Sequence, residues 1–314
     1  MNSIIELQPG QVRQYIDAET VFLELLRVRA EQKETRGSMF WREVSGASYL
    51  IRESSGGAQK SLGSKDTQTE LIFQKFQSKK ETLAQRLTSL TEAAQSQQRM
   101  NKALRVGRVP SIVVKTLNAL RDAGLHDHFL TIGMHALYAY EAAWGVRFMP
   151  NALPTQDIDL LFGSRKRLSF VSKLKKMDSS FIGALQKADP TFRVMSGQKQ
   201  TAINAAGFEV DVIRRMTTDA DPHALKMSDF DDDLWAVQIR DGNKMLDARR
   251  FSQVIVSETG HMAVMNTMDP KMFVALKTSL SQASGRDPRK RPKDALQAQL
   301  VQSLIDGYMP QYQL

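Results

Sequence analysis

The sequence predicts an α+β fold, a mixed sheet flanked by helices, and three observations lead there. A short apolar run, Phe129 to Ile132, passes through Gly133 into a helical pattern, and a second apolar run then carries Asp157 and Asp159. Downstream, strand-like runs follow one another without intervening helices: Phe192 to Met195, Ala202 to Ile203, and Phe208 to Ile213. Short strands in series after a strand–helix–strand start argue for a mixed rather than a purely parallel sheet. Long helical patterns stand at both ends of the chain.

Taken in order, residues 11 to 34 place Val12, Tyr15, Ile16, Phe22, Leu25 and Leu26 at helical spacing. Residues 37 to 57 read as a hairpin around Ser45-Gly46 with a Gly-rich exit. Lys60 after that exit lacks the spacing of a phosphate loop, so the exit reads as a turn. Residues 66 to 104 put Leu71, Phe73, Phe76, Leu83, Leu87 and Leu90 on one stripe of a long helix. Such a stripe calls for a partner, either the first helix or a second copy of the chain in a homodimer. Its Lys79, Lys80 and Arg86 read as a solvated face.

Gly107 to Pro110 breaks the pattern and marks a boundary. The expected division is an N-terminal helical region with a hairpin (1–106), a catalytic domain (107–268) and a C-terminal helical segment (269–314). Pro110 opens a helix ended by Gly124, and Asp178 to Ala188 reads as another. The acidic run in residues 228 to 239 reads as a polar turn before a strand. Val254 to Val256 and Met262 to Met265 read as final strands, and Pro270 to Ala283 and Arg289 to Met309 as closing helices.

Composition narrows the class. With 314 residues, 42% hydrophobic and 25% charged, the chain has the makings of an ordinary globular core. No apolar run is long enough to span a bilayer, and MNSIIELQPG has no basic-then-apolar leader. The absence of cysteine excludes disulfides and thiolate metal sites. The expectation is a cytoplasmic protein that does not engage membranes. A net charge of +9 points to polyanionic partners, nucleic acid or nucleoside triphosphate.

The chemistry concentrates in residues 129 to 162. Carboxylates two apart on a strand share one face, and Ile158, Leu160 and Leu161 anchor that strand in a core. Paired carboxylates on a rigid element suit Mg²⁺, a hard cation that takes oxygen ligands. Gly133, without a Cβ, lets backbone approach a phosphate, and Thr131 or the N–H groups of Met134 and His135 would complete a cradle. His135 in a first helical turn reads as a local hydrogen-bonder, and Tyr138, Tyr140 and Trp144 as core. Arg165, Lys166, Arg167, Lys173, Lys175 and Lys176 follow the acidic pair and would either hold phosphate or form a solvated face. No zinc-ligand cluster, nucleophile elbow or dinucleotide fingerprint is present.

The Asp-x-Asp block, the Gly133 turn before it and FEVDVI (208–213) after it resemble the nucleotidyltransferase superfold. More narrowly, the chain resembles a bacterial nucleotidyltransferase family with a G-x-x-A-x-x-A-Y-E block, here Gly133 to Glu141, ahead of T-x-D-I-D-L-L. DPKMFVALK (269–277) and RDPRKRPKDALQA (286–298) are similar to that family's closing segments. Met134 departs from the pattern, standing where the superfold usually has Gly or Ser.

The resemblance implies transfer of a nucleoside monophosphate from an NTP to a hydroxyl, with two Mg²⁺ ions held by Asp157, Asp159 and Asp211. Glu209, on the same strand face as Asp211, is the substitute third acid. Thr131, Gly133, Met134, Lys277 and Lys293 are the expected nucleotide-binding residues, with Arg286, Arg289 and Arg291 as further cations. The acceptor is open between RNA, with tRNA favoured, a protein side chain and a small molecule. RNA-modifying enzymes and toxins both belong to the superfold. The rival reading, prompted by Met134, is a catalytically silent regulatory protein that binds nucleotide or nucleic acid.

Overall fold

The computed structural model describes residues 4–149, 156–163, 165, 167–217 and 225–310. Two units emerge: residues 13–103, and residues 1–12 together with 104–314.

The chain begins with strand β1 (Ile4–Glu6) and helix α1 (Pro9–Glu34). Strands β2 (Ser38–Val44), β3 (Ala47–Glu53) and β4 (Gln59–Ser64) follow, then the long helix α2 (Thr67–Ala103). In the smaller unit α1 and α2 run antiparallel: Gln14 bonds Gln97 and Asn101, while Glu24 pairs with Arg86. The stripe of α2 also meets the small sheet. Trp41 packs against Phe73 with centroids 5.8 Å apart, and the Arg52 guanidinium lies 4.5 Å over Phe76. The expected hairpin is therefore a three-stranded antiparallel sheet in the order β2-β3-β4. The Gly-rich exit is indeed a turn, but the polar QKSLGS beyond it pairs with β3.

Beyond β1, the larger unit continues with α3 (Ser111–Asp122) and β5 (Phe129–Ile132). A 3-10 turn over Gly133–His135 leads into α4 (Ala136–Trp144), then β6 (Val146–Phe148) and β7 (Asp157–Phe162). Helices α5 (Arg167–Lys176) and α6 (Phe181–Gln186) precede β8 (Arg193–Met195), β9 (Gln198–Ile203) and β10 (Glu209–Arg215). Next come β11 (Leu225–Lys226), β12 (Trp235–Ile239) and α7 (Gly242–Asp247). The hairpin β13 (Arg250–Val256) and β14 (Met262–Met268) leads to α8 (Pro270–Gln282) and α9 (Arg291–Tyr308).

The central sheet runs β11-β12-β10-β7-β5. β10 lies parallel to β7 and β12, while β5 is antiparallel to β7, which makes the sheet mixed as expected. β9 shares the far edge of β10, pairing antiparallel with Glu209 to Asp211 and turning back on β8. β1 pairs with β6, two three-residue strands too short to leave a pattern in the sequence.

Alternation divides the sheet residues between two cores. One face sends Ile158, Leu160, Val210 and Val212 into a cluster with Val113, Leu117 and Leu120 of α3, Phe170 of α5 and Phe181 of α6. The other sends Leu130, Ile132, Leu161 and Ile213 against Leu137 and Tyr140 of α4, Phe273 of α8, and Leu300, Val301 and Leu304 of α9. Burying each such side chain is worth about 1.5–3 kcal/mol, so the strands are pinned from both sides. The acidic run downstream is structural in part. Asp233 accepts from the N–H groups of Phe181 and Ile182 at 2.9 and 2.8 Å, satisfying the first turn of α6.

Candidate active site

The acidic residues lie where β7 and β10 run side by side. Register pairs Asp159 with Asp211 and Asp157 with Glu209. In-register residues of parallel neighbours point the same way, so all four carboxylates share the face that carries Leu161 and Ile213. Ile132 pairs with Asp159 across the antiparallel edge, which brings the following turn directly against that carboxylate.

Gly133 is constrained twice at that turn. Its φ is +68°, a left-handed conformation that side chains disfavour, and an added Cβ would sit 2.5 Å from Oδ2 of Asp159. The next residue, Met134, lines the cleft above the carboxylates. His135 is buried, hydrogen-bonds the backbone of Asp157 and packs near Tyr138 and Phe208. Burial pushes its pKa down to about 4, so it is a neutral local hydrogen-bonder.

The cleft has a volume of about 400 Å³ and brings Gly133, Met134, Asp157, Asp159 and Asp211 opposite Lys277, Arg286, Lys290 and Lys293. Lys277, on α8, is only 6% exposed. Its Nζ donates to Oδ1 of Asp294 at 2.7 Å, while Nε of Arg286 donates to Oδ2 at 2.8 Å. Asp294, 2% exposed at the start of α9, thus holds two cations in the wall. Burial raises its carboxyl, but Arg286 and Lys277 outweigh that and hold it below the usual range. Burial likewise lowers the Lys277 ammonium, and Asp294 opposes the fall.

Charge is unbalanced on the sheet side. Burial, then Asp211 and Asp157, push Asp159 up to about 7, against the pull of Lys277 and Lys290. Asp211 is raised by burial and by Asp157, while the Thr201 hydroxyl from β9 donates to its Oδ1 and opposes the rise. Glu209 is raised by burial and by the same neighbours, Asp211 and Asp157.

Of the residues expected from the sequence, Gly133, Met134, Asp157, Asp159, Asp211, Lys277 and Lys293 all line this cleft. Thr131 does not. It pairs with Leu160, which turns its side chain to the opposite face, where it is 1% exposed. Glu209 stands beside Asp157 without lining the cleft. The cations after the Asp-x-Asp strand lie elsewhere: Arg165 pairs with Asp247, Lys175 with Asp229, and Lys173 donates to the Gly124 carbonyl. Lys166 falls outside the described residues. Sequence reasoning missed Lys290 and the bridging role of Asp294. The signal for Asp294 was an acid directly after the basic stretch from Arg286 to Lys293.

Among the described residues no group of three or more His, Cys, Asp or Glu side chains stands close enough together to hold a metal ion as they are placed. The donor set nonetheless fits a hard cation. The aligned groups are carboxylates on one sheet face, oxygen ligands of the kind such a cation takes, and burial first and neighbouring carboxylates second raise Asp159 and Asp211.

Comparison with known proteins supports this chemistry. No curated protein and no solved structure matches the chain significantly. A family model described as "Nucleotidyltransferase" matches residues 111–314, from the start of α3 to the final residue. Members of that family in general act on nucleoside triphosphates with a divalent metal. The match covers most of the chain and takes in both walls of the cleft, so this protein belongs to the nucleotidyltransferase family and is an enzyme of that kind.

Proposed function

We propose that the enzyme transfers a nucleoside monophosphate from an NTP to a hydroxyl acceptor, RNA before a protein side chain or small molecule, with two Mg²⁺ ions. The observation that carries this reading is the cleft itself: carboxylates aligned on β7 and β10 face cations anchored on and around α8 and α9. Asp157, Asp159 and Asp211 are the residues that would hold them. When bound, such ions neutralise the triphosphate and lower the pKa of the attacking hydroxyl.

The remaining work falls to protein groups. Lys277, Arg286, Lys290 and Lys293 neutralise the β- and γ-phosphates and the departing pyrophosphate. Gly133 lets the α-phosphate approach the turn without meeting a side chain. Asp211, oriented by the Thr201 hydroxyl, positions the acceptor hydroxyl and takes up its proton. The acceptor O–P bond forms as the Pα–O bond to pyrophosphate breaks, with entering and leaving oxygens in line. The net charge of +9 favours RNA as the acceptor.

The test is incubation with each α-labelled NTP, Mg²⁺ and total cellular RNA or protein. Asp157→Ala and Asp159→Ala abolish label transfer while circular dichroism stays unchanged. Equal turnover by wild type and both variants rejects the proposal.

A further inference from the structure

The charged cleft has a second arm of different character. A cavity of about 680 Å³ shares Gly133, Asp159, Lys277 and Arg286 with it and extends away from Asp157 and Asp211. Ile132, Ile213 and Met245 form its floor, and Phe273, Leu276 and Leu280 of α8 its roof. Polar groups stand among them at Arg240, Asp241 and Ser279. Its size is that of an ordinary small-molecule site, and apolar walls with a few polar groups are typical of one.

On the reading of the cleft as an NTP site, we propose that this apolar arm receives the nucleoside half of the NTP, base first, while the triphosphate lies in the charged arm. An NTP is itself divided in this way. Its phosphates carry several charges, and beyond the shared Lys277 and Arg286 the second arm offers them only Arg240, which stands next to Asp241 in that wall. Lys290 and Lys293, the cations beyond the shared wall, line only the charged arm. A nucleobase has apolar faces and hydrogen-bonding edges, matching the aliphatic and aromatic walls and the polar groups set in them.

The shared wall fixes the junction. Gly133, Asp159 and Lys277 meet there, where the α-phosphate must sit, and the ribose is one ester bond away. The acceptor is directed elsewhere. Asp211, the carboxylate assigned to the attacking hydroxyl, lines the charged arm but not the apolar one. An acceptor seated in the apolar arm would bring its hydroxyl to the wrong side of Asp159.

Equilibrium titration of the full chain with Mg·NTP and, separately, Mg·tripolyphosphate tests this. Tripolyphosphate carries the charge without the nucleoside. Leu280→Trp and Ala283→Phe fill the arm from α8 and from the loop after it, with Leu168→Trp on the exposed surface of α5 as a control for added bulk. The expected result is at least tenfold weaker NTP binding by both filled variants, tripolyphosphate binding within twofold of wild type, and no change for Leu168→Trp. Lys293→Ala weakens both ligands. If the filled variants bind NTP as wild type does, or lose both ligands equally, the nucleoside is not in this arm. A wild-type protein that binds neither ligand overturns the nucleotidyltransferase reading of the cleft instead.

Discussion

Gly133 and Asp159 form the tightest junction of the site, and each limits what the other can be. Alanine at 133 costs about 1–2 kcal/mol for its left-handed backbone. The larger effect falls on Asp159, because a Cβ 2.5 Å from Oδ2 must push that carboxylate aside. Displacing a reacting group by about 1 Å costs on the order of 100-fold in rate. Gly133→Ala is therefore expected to lose about two orders of magnitude in kcat with only a few degrees in Tm, measured by single-turnover label transfer and thermal melts. Turnover within twofold of wild type shows that Asp159 has no fixed role. Asp159 also sets a pH dependence. Its carboxyl titrates near 7 in the fold and in the ordinary carboxylate range when unfolded, so between those values the native state holds more protons. Stability accordingly falls as pH rises through that window and levels off above it. Asp159→Asn removes the largest part of the slope, leaving the smaller share of Asp211 and Glu209, and stabilises the protein at pH 8 by about 2–4 kcal/mol. A variant less stable than wild type at pH 8, by urea titration, contradicts the assignment.

Among elements, the closing helices contribute most to the site, and their bond is Asp294. Lys277 on α8 and Arg286 in the following loop both terminate on it, so it ties the helix pair and aims two cations at once. Removing one partner of a buried ion pair leaves the other charge uncompensated, at a cost of about 3–5 kcal/mol. Arg286 is partly exposed and Lys277 can lose its proton, so Asp294→Asn is expected to cost about 2–3 kcal/mol and to weaken tripolyphosphate binding. Lys293→Ala should weaken that binding without the stability loss, because among the described residues Lys293 makes no ion pair comparable to that of Lys277 with Asp294. Equal melting temperatures for Asp294→Asn and wild type would remove the tie. This is also the scale at which the sequence was least legible. The Asp-x-Asp strand, the Gly133 turn and Asp211 were readable because strand alternation and local turn chemistry encode which way a side chain points. The face of Thr131 was not readable, since it depends on the register of β5 against β7, a non-local choice. Nor was β4, whose exposed QKSLGS lacks any alternation, or the β1–β6 pair, each strand only three residues long.

For the whole molecule, the balance of charge is the governing quantity. The chain is +9 overall, yet the face that carries Asp157, Asp159, Asp211 and Glu209 concentrates negative charge in a partly buried place. A fold that keeps such a cluster carries a native-state cost which a bound cation relieves, and linkage makes that relief measurable. A ligand that binds only the native state adds RT ln(1 + [L]/Kd), about 2.7 kcal/mol at a hundred times Kd. Protons compete with the cation for the same oxygens, and Asp159 releases its proton near pH 7. Millimolar Mg²⁺ should therefore raise Tm at pH 8 and have little effect at pH 5.5, where Asp159 is protonated. The increment should vanish in the Asp157→Ala/Asp159→Ala double variant, while the same concentration of K⁺ at matched ionic strength leaves every Tm unchanged. A Mg²⁺ increment that is equal at the two pH values, or that survives in the double variant, places the ion elsewhere on the chain and detaches the aligned carboxylates from metal chemistry.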